Sequence, residues 1–349
     1  MGAIVSGDVL SEVLRSVRLT GAVFFTVEAT APWGAESPPS HVIAPHVMPG
    51  AEHVIAYHVA VRGSCWGGLI DEPPVKLEQG DVIVFPHGDA HVMASAPGLR
   101  GPLNLDLFRY PQAGQLPIAV SINDSAGERA QLVCGFLGCD VRPFNPLLAA
   151  LPRMLHVAKR AGDDGALFEQ LVRVAVAEST AQSAGSECVL ERLSELLFIE
   201  VVRRRLATLP GETTGWLAGL RDEICGRALS ALHARPAQAW TLERLASEAG
   251  LSRSTLAERF HHYVGVPPMQ YLARWRMQLA ASLLSSTNLG ISQIAERVGY
   301  GSEAALSRAF KRLVGVAPSA WRDGARPSRG WVVQDEPDGE SASEAAGVD

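Results

Sequence analysis

A pattern of helix, glycine-containing turn and helix occurs twice in the C-terminal part of the chain, and this repeat limits the available folds more than any other feature. The matching positions are two glycines, a phenylalanine and a proline: Gly250, Phe260, Gly265 and Pro268 in the first copy, and Gly299, Phe310, Gly315 and Pro318 in the second. The first glycines are 49 residues apart and the later positions 50, so the second copy has one extra residue in its turn. Each copy has the order of elements typical of a helix-turn-helix unit.

Hydroxyl-bearing residues precede the helices of both copies. Thr241 and Ser292 are placed to cap the first helices, and Ser252 and Ser302 to cap the second ones. A side-chain oxygen at this position accepts a hydrogen bond from a backbone N–H that the helix leaves free. The caps therefore predict where each helix begins.

The second helix of each copy is expected to have a buried face and an open face, because residues four apart lie on the same side of a helix. The expected core pairs are Leu256 with Phe260 and Leu306 with Phe310. On the open faces, Arg308 can donate two hydrogen bonds to guanine, and Glu258 can accept a hydrogen bond from the amino group of cytosine. Hydroxyl and lysine side chains are better suited to contacts with phosphates. The candidate DNA-binding residues are Ser252, Arg253, Ser254, Thr255, Glu258 and His261 in the first copy, and Ser302, Glu303, Ser307, Arg308, Lys311 and Arg312 in the second.

The charge of the chain is unevenly distributed. The net charge of the 349 residues is −6, which by itself argues against a nucleic-acid binder. Residues 226–326 nevertheless carry 13 basic and 6 acidic residues, a net charge of +7, against 18 basic and 31 acidic residues elsewhere, a net charge of −13. A basic module attached to an acidic body fits the electrostatics of DNA binding. The alternative, two helical hairpins that pack together and bind nothing, is disfavoured by the repeat and by this charge.

The stretch between the two copies, MQYLARWRMQLAASLLSS, predicts a helix that holds the two units rigidly apart. Two recognition helices on one rod would enter successive major grooves about one turn (~34 Å) apart.

This C-terminal region resembles the AraC/XylS family of bacterial transcription regulators. The resemblance covers roughly residues 225–322 and is most specific in GYGSEAALSRAFKRLVGVAPSAWR. The resemblance implies an all-helical domain that binds double-stranded promoter DNA and works with RNA polymerase. Ala257 and Ala304 are small where members often carry polar base-reading side chains, so discrimination is expected to rest on Arg308, Glu258 and DNA shape.

The pattern of residues 20 to about 143 predicts β-strands between Gly/Pro turns. Within this region, GDVIVFPHGDAHVMAS resembles the second cupin motif, with Ser95 at the last position of the motif. The expected structure is a hairpin that points His91 into a small barrel, whose interior is the default ligand site. The first cupin motif is incomplete, because Ala56 stands where its first histidine would be and His58 at its second. Arg62 or Gly63 replaces its glutamate. The region resembles the cupin-type sensor domains that are fused to AraC-type regulators.

Several residues could form an input site in this barrel. The candidate ligand-binding residues are Tyr57, His58, Trp66, Phe85 and His91. The alternative for these residues is ordinary core packing. His58, His91 and Cys134 could converge as three N/S ligands with one open position, which suits zinc or another divalent metal, or they could be core histidines and a buried thiol. Cys134 and Cys139 form a C-x4-C pattern that could be a redox pair or could simply pack.

The predicted fold class is α+β, with a cupin-like β-barrel, a helical linker or dimerisation region, and an all-α domain with two helix-turn-helix units. The expected domains are 1–144 for the sensor, 145–215 for the linker, 216–322 for DNA binding and 323–349 for a disordered tail rich in Gly, Ser, Pro and acidic residues. The spacing of apolar residues predicts helices at 146–157, 166–181 and 187–209. The apolar face of the last helix, marked by Leu190, Leu193, Leu197 and Val201, could be a homodimer seam or could pack on its own domain.

These observations together predict a sequence-specific transcription regulator, not an enzyme, controlled by a small molecule or metal in the cupin-like domain. No apolar run is long enough to span a membrane. The five scattered cysteines indicate a reducing, cytoplasmic setting. The alternatives are a redox- or metal-responsive regulator without an organic effector, a constitutive regulator whose barrel only dimerises, and a cupin metalloenzyme, which needs the first motif that this chain lacks.

Overall fold

The computed structural model describes residues 8–102, 118–158, 166–181 and 183–324. The predicted α+β class is confirmed: strands make up most of the N-terminal domain, and helices make up the C-terminal domain. The strands are β1 (Thr20–Thr30), β2 (Gly34–Ser37), β3 (His53–Arg62), β4 (Cys65–Leu69), β5 (Val75–Leu77), β6 (Val82–Phe85), β7 (His91–Ala94), β8 (Ile118–Ile122), β9 (Arg129–Cys139) and β10 (Leu155–Val157). The helices are α1 (Val9–Ser16), α2 (Ser40–Val47), α3 (Pro146–Ala150), α4 (Ala166–Ala181), α5 (Ser186–Thr208), α6 (Trp216–Arg221), α7 (Glu223–Ala234), α8 (Leu242–Ala249), α9 (Arg253–Val264), α10 (Pro268–Ser286), α11 (Ile291–Arg297), α12 (Glu303–Val314) and α13 (Pro318–Arg322).

The strands form two sheets, with the orders β10-β6-β3-β9-β1-β8 and β2-β7-β4-β5. The predicted hairpin in the second cupin motif is wrong, because β6 pairs with β3 and β10 whereas β7 pairs with β2 and β4. The turn between β6 and β7 instead carries the chain from one sheet to the other. Gly88 is essential to this corner: its φ is +65°, and an added Cβ would collide with the side chain of Ser40.

The two faces of the larger sheet have different neighbours. Successive side chains of a strand point to opposite faces, so His58 on β3 faces the second sheet whereas Tyr57 faces α5. The Tyr57 hydroxyl hydrogen-bonds to the Ser194 hydroxyl on α5 at 2.6 Å. The helical layer α4–α5 therefore covers one face, and the second sheet covers the other.

Two local predictions in this domain are wrong. Helical spacing at 146–157 does not give one helix, since α3 ends at Ala150, just before Pro152, and the chain then forms β10 on the edge strand β6. Proline removes a backbone donor and disfavours helix in the residue before it. The region of strands also contains α2, a short apolar helix with Pro45 inside it.

The apolar face of α5 that was considered as a dimer seam is buried within the chain. Leu190, Leu193, Leu197 and Val201 are all 8% exposed or less and lie in the same core cluster as residues of β3 and β9. The alternative that this face packs on its own chain is the one that the structure shows. The solvent-facing side of the same helix carries Val189 and Leu196.

Helix α10 joins two separate cores of the C-terminal domain. Tyr271 and Trp275 of its first half pack in a core that continues through α5 into the β domain. Met277 and Leu284 of its second half pack in a smaller core with α11, α12 and α13. The first helix-turn-helix unit therefore shares its core with the N-terminal part of the chain, whereas the second unit has its own.

The expected domain boundaries at 144/145 and 215/216 stay predictions, and the shared core crosses both of them. The predicted disordered tail at 323–349 lies outside the described residues, apart from Asp323 and Gly324. Within the described ranges, no helix is both long enough and apolar enough to cross a membrane.

Candidate nucleic-acid interface and cavity

The helix caps of the two repeats follow the prediction at three of four positions. The side-chain oxygens of Thr241, Ser252 and Ser302 each accept a hydrogen bond, at 3.2 Å, from the backbone N–H three residues on. Ser292 is not a cap, because α11 begins at Ile291 and places it inside the helix. Gly290 takes the N-cap position, and its N–H donates to the Gln293 side chain at 3.1 Å.

The second helices of the two repeats, which are expected to be the recognition helices, are α9 and α12, and their buried faces are as predicted. The four expected core residues Leu256, Phe260, Leu306 and Phe310 are fully buried. The twelve candidate DNA-binding residues are all exposed except Ser307, which is half-buried. The two helices therefore present polar surfaces to solvent at equivalent places in the repeat.

The cations on these surfaces are not equally available. Arg253 forms an ion pair with Glu243 of α8 at 2.9 Å, and both side chains are more than half exposed. Arg308, Lys311 and Arg312 form no ion pair within the described ranges. The second recognition helix consequently offers three uncommitted cations, whereas the first offers a serine-rich N-terminus, Glu258 and His261.

Sequence reasoning missed the arginine that holds α9 in place. Arg259 donates to both carboxylate oxygens of Asp222, and Asp222 also caps α7 by accepting from the Cys225 N–H at 2.8 Å. Although burial opposes this shift, hydrogen bonds from Arg259 and from the backbone hold the pKa of Asp222 below its usual value. No short-range spacing connects positions 222 and 259, so the pair could not be recognised from the sequence.

A cavity of about 210 Å³ lies between the two sheets of the N-terminal domain. Its walls are mainly aliphatic and aromatic. The residues that line it are Phe25, Val27, Trp33, Gly34, Ala35, Glu36, Ser37, His58, His91, Met93, Pro102, Val120, Ile122, Leu132, Cys134 and Phe136. Most of this set was missed, because the cavity is assembled from strands that are distant in sequence.

A histidine pair forms one part of the cavity wall. His91 Nδ1 lies 2.9 Å from the Asp89 carbonyl oxygen, which can only accept, so this nitrogen donates. His91 Nε2 is then the acceptor for the N–H of His58 Nε2, 2.9 Å away. Burial keeps both rings neutral: it lowers the pKa of His91 to about 4 and that of His58 well below its usual value. His58 Nδ1 is left as an acceptor without a hydrogen-bond partner among the described residues.

The other candidate ligand-binding residues do not line the cavity. Phe85 stacks on His91, with ring centroids 3.8 Å apart, and supports it from behind. Tyr57 lies on the opposite face of its sheet, beneath α5, and Trp66 alternates with the buried Cys65 and faces outward. Both corrections follow from strand alternation, since each aromatic is one residue away from an inward-facing position.

The residues proposed for zinc share the cavity wall but do not form a complete site. His58 and His91 face each other, and Cys134 pairs with His58 across the β3–β9 ladder. Among the described residues, no group of three or more His, Cys, Asp or Glu side chains could hold a metal ion. Two imidazole nitrogens, from His58 and His91, therefore lie close together, but the described residues supply no third ligand that would support the zinc hypothesis. Metal analysis of the purified chain tests it.

The structure does not bring together the proposed redox pair. Cys134 belongs to the core between the sheets, whereas Cys139, five residues along β9, belongs to the core beneath the helices. Residues separated by an odd number of strand positions point to opposite faces. Burial also raises the pKa of both thiols, which keeps them in the unreactive protonated form.

Comparison with known proteins identifies both parts of the chain. Residues 8–207 match the family described as cupin, and residues 245–324 match a helix-turn-helix domain. A putative AraC-like transcription regulator from Streptomyces antibioticus is 36% identical over 278 residues, which cover 78% of this chain and 88% of that protein. The transcriptional regulator AlkR from Acinetobacter baylyi is 29% identical over 90% of this chain and 99% of its own length. The DNA-binding domain of AdpA, solved with a target DNA, is 29% identical, with a TM-score of 0.28, and covers 28% of this chain and 87% of that domain.

A cupin-type domain with an internal cavity, joined to two helix-turn-helix units with open polar faces, defines a DNA-binding transcription regulator. The sequence matches are to proteins of this kind along most of the chain. The chain belongs to the AraC-like family of transcription regulators.

Proposed function

We propose that this regulator binds promoter DNA through both helix-turn-helix units and changes its affinity for DNA when a small molecule occupies the cupin-type cavity. The observation that carries the proposal is the continuous core that joins the cavity-bearing sheets to the first unit. Both recognition helices meanwhile keep their polar faces exposed. DNA and the effector would thus bind to parts of the chain that are joined by one continuous core.

The route of coupling runs through α1 and α10. Glu12 of α1 lies 3.5 Å from His233 Nδ1, and His233 Nε2 shares a hydrogen bond of 2.7 Å with the Tyr271 hydroxyl. The Trp216 indole N–H also donates to that hydroxyl, at 2.8 Å. An effector changes DNA affinity only if it binds the two arrangements of these elements with different affinities.

The second recognition helix is proposed to supply most of the direct base and phosphate contacts. Arg308 would read guanine in the major groove, and Lys311 and Arg312 would contact phosphates. Helix α10 has 19 residues and spans about 28 Å, which suits units that reach successive grooves. The regulator is proposed to act with RNA polymerase in the cytoplasm, as a regulator and not as a metalloenzyme.

A homodimer through the outer side of the α4–α5 hairpin is also proposed. Leu167 and Val174 of α4 are 49% and 43% exposed, and Val189 and Leu196 of α5 are 39% and 48% exposed. Each pair is seven residues apart, the spacing of a helix-pairing seam. Acidic residues in the first half of α5 and Arg203–Arg205 near its end would pair favourably in an antiparallel contact with a second copy.

The test is selection of bound duplexes from a random DNA pool by the full chain, at moderate salt. The expected product has two short motifs about one helical turn apart, and Arg308→Ala is expected to relax one position in one of them. Arg173→Ala, an exposed cation on α4, is the matched control. A single motif would contradict binding through two units, and unchanged selectivity of the Arg308 variant would contradict base contact by that arginine.

A further inference from the structure

The cavity between the sheets is poor in charge. Its described lining residues include one carboxylate, Glu36, and two imidazoles, and they include no lysine and no arginine. The remaining walls come mostly from apolar side chains such as Phe25, Leu132 and Phe136. A ligand in this space gains mainly apolar contacts from the described walls.

The histidine pair in the wall has little capacity left for an anion. The N–H of His58 is used by His91, and the N–H of His91 is used by the Asp89 carbonyl. The hydroxyl of Ser37 lies 3.5 Å from the carbonyl oxygen of Pro38. The pair of rings therefore has no spare donor for a carboxylate, a sulfate or a phosphate, and its remaining nitrogen is an acceptor.

Glu36 adds a negative charge at the wall of the cavity. Its second carboxylate oxygen accepts from an Arg100 nitrogen at 2.7 Å, and this pairing lowers the pKa of Glu36. Glu36 therefore stays ionised. Arg100 is already held by that carboxylate and is half exposed, so it is not a free counter-ion for a buried anion.

We propose that the cavity takes an uncharged, largely apolar molecule and rejects anions of the same shape. This inference rests on the proposed function, because it treats the cavity as the effector site. A carboxylate placed here would lose its hydration with no cation in the described walls to compensate its charge, and apolar contact does not recover that cost.

Two probes with the same two-ring body distinguish the classes: 2-naphthol, which is uncharged at pH 7.5, and 2-naphthoate, which is an anion. Calorimetric titration of the full chain is expected to show 2-naphthol binding roughly a hundredfold more tightly than 2-naphthoate. The same titrations in EDTA show whether bound metal contributes. Equal affinity, tighter binding of 2-naphthoate, or no binding of either probe would overturn the proposal.

A charge introduced into the wall should reverse this preference. Val120 and Ile122 line the cavity from the edge strand β8, and both are half-buried, so a lysine can be accommodated at either position. Val120→Lys is expected to tighten 2-naphthoate and to weaken 2-naphthol. Ile122→Lys is the second variant in case the first does not fold. Ala119→Lys, on the exposed face of the same strand, should leave both affinities unchanged.

The result is independent of the DNA experiment. A chain that selects a bipartite DNA motif but binds 2-naphthoate better than 2-naphthol remains a regulator with a differently built effector site. A chain that prefers 2-naphthol but selects no DNA retains the ligand class and loses the proposed function. Reversal by Ala119→Lys as well as by Val120→Lys would place the probes outside the cavity and overturn the assignment.

Discussion

The side-chain amide of Gln278 donates to the carbonyl oxygen of Ser16 at 3.0 Å, and so connects the middle of α10 to the end of α1. The oxygen of the same amide accepts from the Phe144 N–H at 3.0 Å, at the end of the β domain. Gln278 is 1% exposed. One buried side chain therefore satisfies two backbone groups of the N-terminal part from within the helix that joins the DNA-binding units.

Replacing this amide should weaken the contact between the domains. Gln278→Leu keeps the size of the side chain but leaves the Phe144 N–H and the Ser16 carbonyl unpaired. The expected loss in free energy of unfolding is about 1–3 kcal/mol, measured by urea denaturation. Gln270→Leu, on an exposed position of the same helix, should change it little. Equal effects of the two substitutions would show that the buried amide has no special role.

The separate core of the second helix-turn-helix unit should unfold separately. Phe310→Ala removes a fully buried ring from that core, at a cost of about 3–5 kcal/mol. Hydrogen exchange is expected to speed up in α11, α12 and α13 while α7, α8 and α9 stay protected. Phe260→Ala should instead loosen the first unit together with the helices beneath the sheet, because they share one core. Uniform loss of protection in both variants would rule out two separate cores.

Phosphate contacts by α12 should appear in the salt dependence of DNA binding. Each cation that neutralises a phosphate contributes about 0.9 to the slope of log affinity against log salt concentration. Lys311→Ala and Arg312→Ala are therefore each expected to reduce that slope by about one, with little change in sequence preference. The slope is measured by fluorescence anisotropy at several salt concentrations. Arg173→Ala on α4 should leave it unchanged, and an unchanged slope in both α12 variants would contradict the assignment.

The outer side of α5 should control self-association. Leu196→Glu places a charge at the centre of the proposed seam and is expected to shift the chain toward the monomer in sedimentation equilibrium. Ile70→Glu changes another exposed apolar residue, 44% exposed and in the β domain, and serves as the control. A wild-type chain that sediments as a monomer at all concentrations would refute the dimer outright.

His233 should make the stability of the chain depend on pH. Burial lowers its pKa, although Glu12 opposes the shift, so the folded state holds the neutral ring. As the pH falls below about 6.5, the unfolded state binds the proton first, and the free energy of unfolding decreases by up to about 1.4 kcal/mol per pH unit. Above that pH the contribution of this ring is fully present. His233→Gln should make the dependence between pH 7 and 5.5 shallower, whereas His41→Gln, an exposed residue of α2, should not.

Features that depend on neighbours within a few residues could be read from the sequence. The repeat, three of its four helix caps and the core pairs Leu256–Phe260 and Leu306–Phe310 follow from spacing along one helix. The single missed cap, at Ser292, is also local: Gly290 with Gln293 offered an equally good start two residues earlier. The inward position of His91 follows likewise from the corner that Gly88 makes possible.

What the sequence alone determined is the class of the protein, because a duplicated helix-turn-helix pattern and a cupin motif consist of local spacings. Only the tertiary structure decided which faces meet. An amphipathic pattern shows that one side of α5 is buried, but it does not show whether the sheet or a second copy covers it. Strand alternation places Tyr57 and His58 on opposite faces, but only the packed sheets show that His58 faces the cavity. The contacts of Gln278, Arg259 and the cavity wall join positions tens to hundreds of residues apart, and such pairs form only when the whole chain has folded.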